Sequence, residues 1–197
     1  MKATHENATR ETTQHENTAW NRFRIAAWSG AAFLLLLPLI AMQFTEEVNW
    51  TASDFMVMGA MLLGAGGAFE LALRTSGQTM YRIAAVGAVG SGFFMIWVNG
   101  AVGIVGNEDN LLNVAYFGVL ALGFLGATAC RLKPRGMART GFTMAGATAL
   151  IGAVALVVER SAPGYSPVEI IAVNAMFVVL FTGVALLFNH AADDASE

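Results

Sequence analysis

The chain has 197 residues, of which 56% are hydrophobic and 13% charged, with a formal net charge of −3. Soluble domains carry about 25% charged residues, so the composition excludes an ordinary water-soluble fold and leaves no stretch outside the apolar segments long enough to bury a core of its own. The net charge hides two oppositely charged sets of turns and points to neither nucleic-acid binding nor an acidic substrate.

Residues 1–21 are polar and contain a short direct repeat, His5-Glu6-Asn7-Ala8-Thr9 and His15-Glu16-Asn17-Thr18-Ala19. Apolar groups are too few there to offset the entropy of ordering the chain, so a disordered tail is expected. Two His-Glu pairs on a flexible arm hold a transition metal only weakly, and a solvated tail is the simpler reading. Trp20, Phe23 and Trp28 stand where interfacial aromatics belong, with Trp50 as their counterpart at the other face.

Six apolar segments follow, 25–44, 52–73, 83–105, 111–132, 140–158 and 168–189. Each is close to the ~20 residues that cross ~30 Å of hydrocarbon. The first is preceded by Arg22 and Arg24 but runs on into Met42-Gln43-Phe44-Thr45-Glu46 without a small-residue cleavage site, so it reads as a retained helix. The expected fold is therefore all-α: a polytopic bundle of six transmembrane helices over residues 22–190, flanked by the polar tail 1–21 and a short acidic tail 191–197.

Ten of the eleven Lys and Arg residues fall on the terminal side of this alternation, and Arg160 alone on the other. By the positive-inside rule both termini are cytoplasmic. The opposite turns hold Glu46, Glu47 and Asp54, then Glu108 and Asp109, then Glu159, Arg160 and Glu169. A three-fold pattern runs through them: Glu47, Asp109 and Glu169 each precede a Phe by eight residues (Phe55, Phe117, Phe177) and a Val by ten (Val57, Val119, Val179). A period of about sixty residues is one helical hairpin, so the pattern is consistent with three tandem hairpins whose acids sit near helix N-termini.

Lipid gives helices no hydrophobic reason to associate, and close approach depends on small residues. Gly64, Gly66 and Gly67 in the second segment, Gly87, Gly90 and Gly92 in the third, and Gly123 and Gly126 in the fourth supply such faces, so these segments are expected at the centre of the bundle. Gly87, Gly90 and Gly92 form a shallow groove suited to self-association or to docking another membrane protein. Cys130 is the sole cysteine, which excludes an internal disulfide or a two-thiol redox pair.

Glu70 is the ionisable residue with depth in a span. It lies four residues, ~6 Å, before Arg74 on the same helical face, and Arg82 is close across the turn. The set reads either as an interfacial ion pair or as a proton or cation site, opposed in the second case by the amides of Asn99 and Asn174. The stretch from Trp97 to Asn110 carries Asn99 and three glycines into a turn holding Glu108, Asp109 and Asn110, with Asn113 one helical turn further. Oxygen ligands of this kind suit a hard cation at the outer face, although the turn lacks the length and alternation of an EF-hand.

The run from Met42 to Phe55, the Trp97–Asn110 stretch and the basic turn Pro134–Arg139 together resemble an uncharacterised family of small bacterial multi-pass inner-membrane proteins. The similarity covers most of residues 25–189 and implies location and topology, but no activity and no functional residue. Enzyme classes are argued down from the residues themselves. His5, His15 and His190 all lie outside the spans, so no pair ligates a transmembrane haem. No buried serine has a His or Lys partner, and Glu46-Glu47 lacks the Arg and His motifs of glutamate-type intramembrane proteases. No catalytic residue, metal or cofactor is expected. The lipid bilayer is the first partner, and the role reads as structural or accessory, with a small transporter or channel for a proton, cation or small solute as the alternative.

Overall fold

The computed structural model describes residues 2–107, 109–161 and 165–195. The described residues form six α-helices and two short 3₁₀ turns, without a strand: α1 (Lys2–Ala41), α2 (Ala52–Thr75), α3 (Thr79–Ala101), a 3₁₀ turn at Leu111–Asn113, α4 (Val114–Ala129), α5 (Pro134–Val158), a 3₁₀ turn at Glu159–Ser161, and α6 (Pro167–Asp194). Six of these stretches are long and apolar enough to cross a membrane, beginning with Trp20–Ala41 inside α1. The expected all-α, six-span architecture is present.

Both polar tails differ from expectation. The backbone of residues 2–21 is helical and continuous with the first span. Helix nucleation is the costly step and propagation adds one hydrogen bond per residue fixed, so an apolar span that is already helical extends into polar sequence at little cost. The side chains of the His-Glu pairs lie outside the described residues. At the other end, α6 continues through Asp194, and Ala191 and Ala192 are buried instead of forming a tail.

The chain divides into two compact units, Met1–Gly66 and Gly67–Glu197, with the boundary inside α2. In the first unit α1 and the start of α2 meet where the ring of Trp28 lies over Gly66; a Cβ on Gly66 would come within 2.5 Å of it. Trp28 thus serves helix packing as well as the interface. The start of α2 is secured by Asp54, whose carboxylate accepts hydrogen bonds from the Thr51 backbone N–H and hydroxyl, both at 2.7 Å. This is the back half of a capping box, and it assigns the cap to Asp54 where the repeat pointed to Glu47.

In the second unit α6 is the centre. It packs along α5 on one side and α3 on the other, while α4 lies chiefly against α5. The buried positions of α5 are Ala138, Gly141, Ala145, Thr148, Gly152 and Ala155, a strict alternation of three and four made of small residues. The buried positions of α6 include Ile170, Asn174, Phe177, Phe181, Val184, Phe188 and Ala191 in the same alternation, dominated by large ones. Large side chains of one helix sit on a smooth face of the other, the arrangement that lets helices approach where lipid offers no hydrophobic drive. At Gly141 a Cβ would come within 2.9 Å of the Ala185 Cβ, so glycine sets the separation there.

Two expectations are corrected by this packing. Within this unit the glycine-rich third and fourth segments are not the centre, because spacing on one face, not glycine number, decides which helix is enclosed. The three-hairpin plan is not repeated within this unit either: α5 and α6 form a closely packed antiparallel pair, whereas α3 and α4 touch sparsely.

Two apolar clusters fill the unit. One joins Met95, Ile104, Val105, Tyr116, Val119, Phe177 and Phe181. The other, at the opposite end, joins Ala72, Tyr81, Ala84, Val184 and Phe188, with Tyr81 and Phe188 edge to face at 5.3 Å. There the Tyr81 hydroxyl donates to the Leu132 carbonyl at 2.8 Å, clasping α3 to the turn after α4. That turn is a Schellman cap, with Leu132 N–H to Ala127 O at 3.0 Å and Arg131 N–H to Thr128 O at 3.1 Å. Its left-handed residues are Arg131 (φ 53°) and Leu132 (φ 58°), not glycine.

Candidate functional site

Among the described residues, the three asparagines that the bundle buries gather at the end formed by the close of α3 and the starts of α4 and α6, while Ser91 and Thr148 are buried midway along α3 and α5. Asn99, Asn113 and Asn174 are each about 5% exposed or less. They belong to two hydrogen-bonded groups.

The first is built on Asn113. After Ala101 the chain reverses through Gly103 (φ 76°) and Gly106 (φ 67°), which brings residues 103–107 back over the start of α4. The Asn113 side chain fills the returning loop. Its Oδ1 accepts from the Ile104 and Val105 backbone N–H groups at 3.0 and 2.9 Å, and its Nδ2 donates to the Val105 and Asn107 carbonyls at 3.3 and 2.6 Å. An amide has two donors and two acceptor lone pairs, so all four capacities are used. Gly103 is required twice over, since a Cβ would meet the Asn107 carbonyl oxygen at 2.5 Å and Asn113 Nδ2 at 2.7 Å. Asn99 ties α3 to this knot: its Nδ2 donates to the Asn113 carbonyl at 3.0 Å. Its Oδ1 is the buried side-chain acceptor, among the described residues, left without a donor.

The second group joins α4, α5 and α6. The Tyr116 hydroxyl donates to Asn174 Oδ1 at 2.8 Å, and Asn174 Nδ2 donates to the Ile170 carbonyl at 2.9 Å. Gly152 makes room, because a Cβ there would lie 2.8 Å from the Asn174 side chain. Both groups rest on the apolar cluster around Met95, Val119 and Phe177, which Tyr116 joins through its ring.

This geometry divides the residues singled out from the sequence. Glu70, Arg74 and Arg82 flank the turn between α2 and α3, where Arg82 Nε donates to the Ser76 carbonyl at 3.0 Å; Glu70 is half-buried and partnered, and Arg74 is exposed. Asn99 is 17 residues beyond Arg82 on α3, about 25 Å away at ~1.5 Å per residue. The expectation that Asn99 and Asn174 oppose Glu70 is therefore corrected: the carboxylate and the amides are at opposite ends of the unit. In the outer-face trio, Glu108 lies outside the described residues. Asn110 is committed to the helix start, its Oδ1 accepting from Leu112 N–H at 2.9 Å, and Asp109 is exposed. The described residues contain no group of three or more His, Cys, Asp or Glu side chains placed to hold a metal ion.

Gly87, Gly90 and Gly92 do not share one groove. Gly87 faces Val184 of α6, with a Cβ to be placed 3.1 Å from its methyl, and Gly92 faces Leu120 at 3.7 Å; Gly90 opens outward. Two of the three are internal packing. Sequence reading placed Asn113 at the edge of an ion-binding turn and missed its role; the available signal was Gly103 and Gly106 three apart, the mark of a chain that doubles back and needs a side chain to satisfy it.

No protein-family model, curated protein or solved structure matches the chain. Six helices of spanning length and apolarity define it as a multi-pass integral membrane protein.

Proposed function

We propose that this is a structural or accessory protein of a bacterial inner membrane, with both termini cytoplasmic, that works by helix association with itself or another membrane protein and carries no catalytic step. The observation that supports this reading is the disposal of its buried polar groups. Asn113, Asn174, Tyr116 and Tyr81 are spent on fixed hydrogen bonds at the two ends of the unit. Between those ends the interior is Met95, Val119, Phe177, Phe181 and Val184, and its buried polar side chains among the described residues are the hydroxyls of Ser91 and of Thr148, the latter bonded back to the Met144 carbonyl of its own helix at 2.9 Å. A proton or cation moving through hydrocarbon needs a succession of ionisable or water-bearing groups. Among the described residues of the unit, no such continuation leads on from the half-buried Glu70 beside the α2–α3 turn.

The test is flux. Proteoliposomes holding the full chain, loaded with pH- and cation-sensitive dyes, should show no proton, Na⁺ or K⁺ movement above that of empty liposomes. A flux present in the wild type and abolished by Glu70→Gln in a protein of unchanged helicity overturns the accessory reading and favours the channel or transporter alternative.

A further inference from the structure

Beside the Asn113 knot lies a pocket of about 220 Å³. That is far more than the roughly 10–15 Å³ one water needs, so the pocket admits an organic group. Asn99 and Asp109 contribute polar lining, and Leu111, Val114 and Phe117 an apolar wall. Those three apolar residues are exposed and follow one another at helical spacing down the start of α4. The pocket therefore has a polar head and an exposed apolar flank.

Asn110 also lines this head, and one acceptor within it is left without a donor. Asn99 Oδ1 is buried without a partner, on a residue 5% exposed. The amide cannot be turned to cure this, because its Nδ2 already serves the Asn113 carbonyl, and two oxygens would then face each other. Asn113 has no donor to lend, both its N–H groups being engaged by Val105 and Asn107. A buried acceptor left unmade costs about 1–3 kcal/mol, and a donor entering by the pocket that Asn99 lines removes that cost. Asp109 adds a negative charge, which rejects carboxylates and phosphates and favours a cation. Among the described residues a bare metal ion finds one carboxylate and too few ligands here.

We propose that this pocket binds a primary ammonium group carried on an apolar body, its N–H groups donating to Asn99 Oδ1 and the Asp109 carboxylate and its body lying along Leu111, Val114 and Phe117. The same chemistry is offered by an aminoethyl lipid headgroup and by a soluble alkylamine. Asn99 Oδ1 is itself shielded from solvent, so the ammonium reaches it as a lining side chain rotates.

The full chain in detergent is assayed with n-hexylamine, 1-hexanol and hexanoate, and in nanodiscs by native mass spectrometry with phosphatidylethanolamine, phosphatidylcholine and phosphatidylglycerol. Expected is at least a tenfold preference for hexylamine over both other hexyl compounds, or for phosphatidylethanolamine over phosphatidylcholine, whose trimethylated head has no N–H. Preference in the first series alone identifies a soluble amine, and in the second alone a lipid. Asp109→Asn and Val114→Trp, both at exposed positions, should each reduce that preference tenfold or more with the thermal midpoint unchanged. Equal binding within both series, or a preference that survives either substitution, overturns the proposal.

Discussion

Replacing Asn113 by leucine keeps the side-chain size and deletes four hydrogen bonds. The cost is set by what is left behind. Ile104 and Val105 are 2% and 0% exposed, so their N–H groups gain no water when Oδ1 is removed. Each orphaned donor costs about 1–3 kcal/mol, giving roughly 2–6 kcal/mol for the pair. The Asn107 carbonyl belongs to an exposed residue and can turn to solvent, so it adds little. Against a total stability of about 5–15 kcal/mol, this is a severe substitution. Unfolding the full chain in mild detergent by titration with a denaturing detergent reads the loss, and hydrogen exchange at Ile104 and Val105 reads its location. Asn113→Asp retains the acceptor but sets a carboxylate against the Val105 and Asn107 carbonyls, and it should be no milder at neutral pH. A leucine variant within about 0.5 kcal/mol of wild type, with exchange at residues 104–105 unchanged, refutes the view that Asn113 holds the returning loop.

Gly103→Ala should cost more than about 2 kcal/mol, from its positive φ and the 2.5 Å approach to Asn107, while Gly106→Ala, whose Cβ has 3.4 Å to its nearest neighbour, should cost about 1 kcal/mol in the same titration. Arg131→Gly should stabilise by about 0.5–1 kcal/mol, because glycine takes the left-handed C′ position of the Schellman cap without the penalty an arginine incurs; a lower unfolding midpoint contradicts this. Gly87→Leu should lower stability by about 1–3 kcal/mol through overpacking against Val184. Gly90→Leu should leave stability unchanged, and if α3 is an association surface it should reduce the assembly mass measured by light scattering.

The spans were legible because hydropathy over some twenty residues is a strong signal, and the starts of α2 at Ala52 and of the Leu111 turn coincide with the apolar boundaries. Boundaries were lost where apolar sequence leaves the helix. Ile104 and Val105 extend the apolar run, yet they are buried in a loop, because Gly103 turns the chain and Asn113 satisfies the freed backbone. The position of α6 was legible in principle from the alternation of small residues on α5 from Ala138 to Ala155. Counting glycines concealed it, since alanine and threonine serve the same face. The candidate site was half legible: Asn99 stood out as an amide in a span, but its partnership with Asn113 depends on a chain reversal that periodicity does not encode.

The match between the smooth face of α5 and the bulky face of α6 also carries an order of events. A ribosome delivers α3, α4 and α5 to the bilayer before α6 exists, and α3 and α5 have α6 as their principal common neighbour. Until Pro167 and the residues after it emerge, the Gly141–Ala155 stripe can only face lipid, and the Asn174 amide that Tyr116 requires has not been made. Consolidation of this unit therefore waits on the insertion of α6. A quality-control protease in the membrane would meet a loosely held set of spans whose survival depends on how quickly α6 is inserted.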